Sequence, residues 1–266
     1  MSLSHDADRS PAQGADLAGK IALVTGASRG IGRAIARQLA ARGAILAVHY
    51  NQAQADADRL VDEIAGSGGD AFALAADLSQ AAGAEQLASA LGNTLQTRYG
   101  SDAFDILVNN AGVGLRARIG DVKVADFDRV FQVNFKTPFF LIQHLLPRLR
   151  DGGRIINVSS IGTRSAYPEM SVYAPSKAAL ESLTLLLAAE LGARGITVNA
   201  VLPGATATDL NARARDPEMA HAIAATVALG RVGQPDDIAG IVAFLAGDGG
   251  RWVTGQRIDA SGGQRL

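Results

Sequence analysis

The chain has 266 residues, 48% of them hydrophobic, with 25 Lys+Arg against 26 Asp+Glu and no cysteine. That length can bury a sizeable core, and a formal charge of −1 gives no long-range pull toward nucleic acid or an anionic membrane. Without cysteine, disulfides, thiolate zinc sites, iron–sulfur clusters and a cysteine nucleophile are all excluded.

Residues 1–16 are polar and acidic and lack the basic and apolar regions of a signal peptide. They are expected to form a flexible tail, and the protein is expected to be cytoplasmic. Apolar runs at 21–25, 45–50, 71–76, 106–109, 155–159, 197–202 and 256–259 then predict seven strands. Helical spacing fills the gaps at 31–42, 55–65, 85–98 and 127–150. Such alternation implies βαβ units. The expected fold is therefore α/β: a Rossmann-type, doubly wound parallel sheet of about seven strands with helices on both faces, in one domain over 17–266. Residues 205–230 depart from the pattern, with Arg213, Arg215 and Pro217 ahead of an alanine-rich stretch. They follow a strand end where parallel sheets bind ligands, so a substrate lid is expected there. Gln234-Pro235-Asp236-Asp237 reads as a helix start, with an early proline and acids in the first turn.

The first strand runs into Thr25-Gly26-Ala27-Ser28-Arg29-Gly30-Ile31-Gly32 and then a helix. A glycine turn between strand and helix is the setting in which such glycines bind a dinucleotide. Gly26 allows the tight turn, while Gly30 and Gly32 clear space for a pyrophosphate and for helix packing. The helix N-terminus then offers N–H groups to the negative charge. Ser28 and Ile31 are candidates to line the same cradle. An NAD site usually presents an acid at the end of the second strand. Here that stretch is His49-Tyr50-Asn51-Gln52, and the first acid is Asp56 in the next helix. Nothing there repels a 2′-phosphate, Arg29 can pair with one, and His49, Tyr50 and Asn51 are weaker candidates for the same pocket. The expected cofactor is NADP(H).

Tyr173-Ala-Pro-Ser-Lys177 places a phenol and an ammonium at i and i+4, on one face of a helix that must begin close to Pro175. With Ser160 thirteen residues before Tyr173, Asp77-Leu78 after the third strand, Asn109-Asn110-Ala111-Gly112 after the fourth, Asn134, and Pro203-Gly204 with Thr206 and Thr208, the chain resembles the short-chain dehydrogenase/reductase family over about 17–263. The resemblance implies that Asp77 and Leu78 contact adenine and that Asn110, Ala111 and Gly112 lie beside the cofactor. It likewise puts Pro203, Gly204, Thr206 and Thr208 near the nicotinamide. Tyr173 is then the proton donor to a ketone, or the acceptor from an alcohol. A nearby ammonium would favour its phenolate. Lys177 is implied to tune it and bond the ribose, Ser160 to hold the substrate oxygen, and Asn134 to hold a water that relays protons to Lys177.

The implied function is NADPH-dependent reduction of a ketone to a secondary alcohol, in the manner of 3-oxoacyl-carrier-protein reductases or small-molecule ketoreductases. The alternatives are a sugar or alcohol dehydrogenase of the same family working oxidatively, or an idle NADP(H)-binding regulator. Arg194 matches a carrier-protein docking residue of the fatty-acid reductases, but Asp151 stands where they carry a second basic residue. The substrate is thus a small carbonyl or alcohol compound, with an acyl-thioester as a further option. Gly114, Leu115, Ile161, Thr163, Met170 and 205–226 are candidate pocket residues. The four histidines are scattered without ligand spacing, so no metal is expected. Neither nucleic acid nor membrane is an expected partner, and the family implies a homotetramer.

Overall fold

The computed structural model describes residues 15–265. The tail expected at 1–16 lies outside them except for Ala15 and Asp16. Asp16 is held, not loose: its carboxylate pairs with Arg42, which keeps it below the usual carboxylate range.

Seven strands form one parallel sheet: β1 (Ile21–Val24), β2 (Ile45–Tyr50), β3 (Ala71–Ala75), β4 (Phe104–Asn109), β5 (Leu149–Val158), β6 (Thr197–Pro203) and β7 (Arg257–Ala260). Their order is β3-β2-β1-β4-β5-β6-β7. The central strands are buried on both sides, so alternate residues feed two cores, while the edge strand β7 is half exposed. In β1, Ala22 and Val24 face one and Ile21 and Leu23 the other. The first core packs α1 (Gly30–Ala41), α2 (Gln54–Gly66) and α8 (Pro235–Ala246), through residues such as Ile35, Leu60 and Val242. The second packs α3 (Gly83–Tyr99), α5 (Thr137–Leu145) and α6 (Tyr173–Leu191), through Leu91, Leu141 and Leu187. The α8 start follows the reading of its proline and acids: the Gln234 N–H donates to Asp237 at 2.7 Å.

The chain reverses its winding at β1, which pairs with β2 on one side and β4 on the other. Loops leaving β1 and β4 therefore diverge and open a crevice at the carboxyl ends of the strands.

The expected helix at 127–150 is corrected. The segment starts earlier, as α4 (Val124–Phe131), then passes through a π-helical turn (Gln132–Lys136) into α5 and stops before Pro147. A π-turn releases one backbone step, and here it swings Asn134 inward. Pro147 cannot supply the next helical N–H. Leu149 already belongs to β5, pairing with Phe104 six residues before the strand was expected. The strand reaches its main register through a bulge around Gly152, whose φ is +73°.

Candidate active site

The crevice is a cleft of about 1390 Å³ lined by the ends of β1, β2, β4, β5 and β6 and by the segment after β6. Its floor on the β1 side is the glycine turn. Gly26 has φ +63° and Gly30 φ +55°, values that disfavour any side chain. A Cβ on Gly32 would collide with the Gly26 carbonyl and lie 2.5 Å from Asn110 Nδ2, so Gly32 serves close packing of helix against turn. Arg29 is the N-cap of α1 and gives no side-chain cap, which leaves the first-turn N–H groups free to meet an anion. Ser28 and Ile31 line the cleft as expected from their place in the turn.

Three polar side chains hold this turn. Thr25 Oγ1 accepts from the N–H groups of Asn110 and Ala111, each at 2.9 Å. Asn110 Nδ2 donates to the carbonyls of Thr25 and Gly26. His49, almost fully buried, accepts the Gly26 N–H at Nδ1 (2.9 Å) and sits 3.1 Å from the Ala76 carbonyl through Nε2. A carbonyl only accepts, so Nε2 carries the proton. Burial pushes this imidazole down to about 4. His49 is thus a neutral clasp between the glycine turn and the β3 end, not a group offered to a phosphate.

Tyr50 is also corrected: it packs against the first core and does not line the cleft. Asn51 does line it, and donates to Asp77 at 3.2 Å. Asp77 further accepts from Ser79 and Gln80; the Ser79 bonds hold it below the usual carboxylate range. Leu78 lies beside it. Arg29 stands exposed at the rim, 3.7 Å from Asp209.

On the β5 side, Ser160, Tyr173 and Lys177 come together. Ser160 is extended (φ −166°, ψ 147°) and caps the 3-10 turn Ile161–Thr163, its Oγ accepting from the Gly162 N–H at 3.1 Å. That leaves the hydroxyl proton available. Tyr173 opens α6, and Pro175 falls in the first turn without breaking it. Burial pushes the Tyr173 phenol up, and a hydrogen bond with Ser160 opposes it. Lys177 Nζ donates to the Val158 carbonyl at 2.8 Å, and burial pulls it down to about 8. Burial and Ser160 are what set the phenol here, and the expected lowering by Lys177 is not among its causes.

Asn134 lies behind this group, fully buried and not on the cleft wall. Its Oδ1 accepts from Val113 N–H, and its Nδ2 donates to the Val113 carbonyl and to Ser176 Oγ. Both amide protons are used, so the side chain acts as a brace between the π-turn, the segment after β4 and α6. Gly112 gives room beside it: a Cβ there would stand 3.3 Å from both Asn134 Oδ1 and Lys177 Nζ.

Pro203, Gly204, Thr206 and Thr208 line the cleft beyond β6, with Thr208 over Gly30. Residues 209–214 then form a 3-10 segment, followed by α7 (Pro217–Ala224), which Asp216 caps through Met219 N–H. Gly114, Leu115, Ile161 and Met170 line the open end; Thr163 does not, since its hydroxyl turns back toward Glu181. Polar groups that the sequence did not single out also reach this end. Arg116 pairs with Glu169 at 2.7 Å, and the Arg265 guanidinium lies 4.5 Å from the Tyr167 ring. Arg194, by contrast, is taken up by Asp151 and by the carbonyls of Leu146 and Leu149. Among the described residues no group of three or more acids or histidines is placed to hold a metal ion, and no helix is long and apolar enough to cross a membrane.

A family model described as enoyl-(acyl carrier protein) reductase matches residues 26–265. The chain is 41% identical over 260 residues to the NADPH-dependent aldehyde reductase-like protein, chloroplastic, of Arabidopsis thaliana, covering 93% of this chain and 94% of that one. Among solved structures it is similar to the reductase LugOII, which catalyses keto-reduction at C1 during lugdunomycin biosynthesis (TM-score 0.91, 47% identity, 95% of this chain and 100% of that one). It is similar as well to the landomycin C-6 ketoreductase LanV with bound NADP and rabelomycin (TM-score 0.88, 44% identity, 95% of this chain and 98% of that one).

Proposed function

The chain belongs to the short-chain dehydrogenase/reductase family, and on that premise we propose that it is an NADPH-dependent ketoreductase that turns a free ketone into a secondary alcohol. The observation that carries this reading is the meeting of the Ser160 hydroxyl, the Tyr173 phenol and the Lys177 ammonium in the wall of a cleft that also holds the glycine turn.

The cradle fits NADP(H). Gly26 and Gly30 leave backbone bare, the α1 N-terminus faces the gap, no acid ends β2, and Arg29 stands at the rim. When bound, the cofactor supplies the hydride. Ser160 then donates to the carbonyl oxygen of the substrate and fixes its position. Tyr173 delivers the proton to that oxygen as negative charge grows there, a general-acid step. Lys177, charged near neutral pH, stabilises the phenolate that remains. Asn134 braces Ser176 and so the first turn of α6. In the reverse direction the same residues would take the proton from an alcohol.

The open end of the cleft joins apolar walls (Leu115, Ile161, Met170) to the aromatic Tyr167 and the guanidinium of Arg265. These suit a flat aromatic ketone, and the similar ketoreductase LanV was solved with NADP and rabelomycin bound. Engagement of Arg194 by Asp151 disfavours a substrate delivered on an acidic carrier protein. In this reading the segment 205–230 is the lid over the substrate, and 17–266 acts as one NADP(H)-binding domain. The protein works in the cytoplasm as a homotetramer, a state that exposed Phe139, Phe140, Leu185 and Leu186 on α5 and α6 would serve.

The test follows NADPH loss at 340 nm with a polycyclic quinone ketone, a β-keto ester and a β-keto thioester, with NADH in parallel. Tyr173→Phe should lower kcat by about 10²–10⁴-fold while NADPH still binds. Retained turnover in that variant would overturn the assignment.

A further inference from the structure

Glu181 is a buried carboxylate that the reaction above does not use. It lies on α6 one turn beyond Lys177 and two beyond Tyr173, with only 4% of its surface exposed. Burying a carboxylate costs several kcal/mol unless it is fully partnered, and its partners are specific. Glu181 Oε1 accepts from Ser159 Oγ at 2.5 Å and from Thr163 Oγ1 at 2.8 Å. These two hydroxyls bracket Ser160, one residue before it and three after. On the other side, the Arg257 guanidinium from β7 stands 4.0 Å from Glu181 Oε2.

The Ser160 loop leaves β5 and must turn sharply into the 3-10 segment Ile161–Thr163. Its own hydrogen bonds are local, Gly162 N–H to Ser160 Oγ and Thr163 N–H to the Ser160 carbonyl, which also lies 2.9 Å from Thr163 Oγ1 and so shares that hydroxyl's one proton with Glu181. Those bonds shape the turn but do not tie it to the helix that carries Tyr173. Glu181 adds the tie that grips both sides of the turn, since one oxygen atom meets Ser159 and Thr163 together, beside the Lys177 bond to the Val158 carbonyl and the longer Ser159 contact with the Lys177 carbonyl. The same carboxylate is the charge that favours the ammonium of buried Lys177. Tyr173 and Glu181 are the titratable groups bearing on Lys177 from its own helix. Val158 and Gly112 meet it from β5 and from the turn after β4 with uncharged groups, and Arg257 faces Glu181 from behind.

We infer that Glu181 is a positioning residue of the reaction: it locks the Ser159–Thr163 turn to α6, so that Ser160 and Tyr173 meet one substrate oxygen, and it compensates the buried charge of Lys177. The inference rests on the ketoreductase reading.

The test compares Glu181→Gln, Glu181→Ala and Thr163→Val with the wild type, measuring kcat, KM, NADPH affinity and the pH profile of ketone reduction. Glu181→Gln keeps an oxygen for both hydroxyls and removes the charge. It should keep kcat within about threefold near pH 6.5 while the alkaline limb of the profile moves to lower pH, because Lys177 loses its proton sooner. Glu181→Ala should lower kcat at least tenfold at every pH, with NADPH affinity within about twofold of wild type. Thr163→Val keeps the shape and deletes the hydroxyl that meets both Glu181 and the Ser160 carbonyl, so it should lower kcat severalfold in the wild type and clearly less in a Glu181→Gln background. Superimposable pH profiles for wild type and Glu181→Gln, together with unchanged kcat in Thr163→Val, would overturn the inference. So would a loss of NADPH binding and thermal stability that parallels the loss of kcat, the mark of a merely structural role. If the wild type itself reduces no ketone, the function reading fails first.

Discussion

His49 should make the protein acid-sensitive in a defined window. Its imidazole is clasped between the Gly26 N–H and the Ala76 carbonyl, and burial lowers it from its ordinary 6.5 to about 4. Above pH 6.5 both folded and unfolded chains hold it neutral, and its full contribution is present. Below 6.5 the unfolded chain takes up a proton that the folded chain refuses, so stability falls until about pH 4, where both are charged. Spanning 6.5 to about 4 at 1.36 kcal/mol per pH unit, the loss comes to about 3 kcal/mol. At 2% exposure the ring is out of reach of screening by solvent. Urea unfolding of wild type and His49→Gln between pH 4 and 7.5 measures it. Glutamine can accept and donate across the same gap yet does not titrate, and acid loss from carboxylates is common to both proteins. The difference in unfolding free energy should therefore change by about 3 kcal/mol across the window, always at the expense of the wild type as pH falls. Parallel curves would refute the neutral clasp. His49→Leu should in addition weaken NADPH binding, because the Gly26 N–H that shapes the cradle loses its partner.

Arg29→Ala should raise the KM for NADPH by roughly tenfold and leave that for NADH unchanged, the low end of a charge-assisted bond because the side chain is exposed; equal effects on both cofactors would refute a 2′-phosphate role. Gly32→Ala drives a methyl into the Gly26 carbonyl, and an overpacking cost of about 2–3 kcal/mol predicts a melting temperature lower by roughly 5–10 °C. Gly240→Ala, in α8 with nothing within 4 Å of its Cβ, is the control and should not lower it.

The parts of this molecule that were legible in its sequence are those fixed by local rules. Strands buried on both faces read as unbroken apolar runs, and the glycine turn reads from its spacing because backbone geometry demands glycine there. Ser160, Tyr173 and Lys177 follow from the family resemblance, whose interval they keep, and not from a local rule. What failed to read depends on partners distant in sequence. A kink at Asn134 follows from the family resemblance alone, and its π-turn has no local signature, since the bonds that hold it come from Val113 and Ser176. His49 and Tyr50 sit at a strand end where polar residues suggest a pocket, yet one turns inward to Gly26 and the other to the core. Glu181 looks like an ordinary helix-surface acid in a sequence. Only its approach to Ser159 and Thr163, about twenty residues upstream, shows otherwise.

The same long-range bonds explain why α6 carries so many polar groups on its buried face. Burial of an apolar helix face sets its axial position less sharply than directed bonds do, because the hydrophobic effect is non-directional. Here Ser176 accepts from Asn134, Lys177 donates to Val158, Glu181 accepts from Ser159 and Thr163, and Thr184 accepts from Asn157, which itself accepts from Asn109. These pins reach α6 from the π-turn, from β5 and the turn that follows it, and, through Asn157, from β4. A shift of one residue along the axis, about 1.5 Å, would strand most of them at once, each at about 1–3 kcal/mol. An error of that size at Tyr173 would by itself cost about a hundredfold in rate. Buried polarity that adds little net stability thus fixes the helix to well within the tolerance that proton transfer to the substrate oxygen requires.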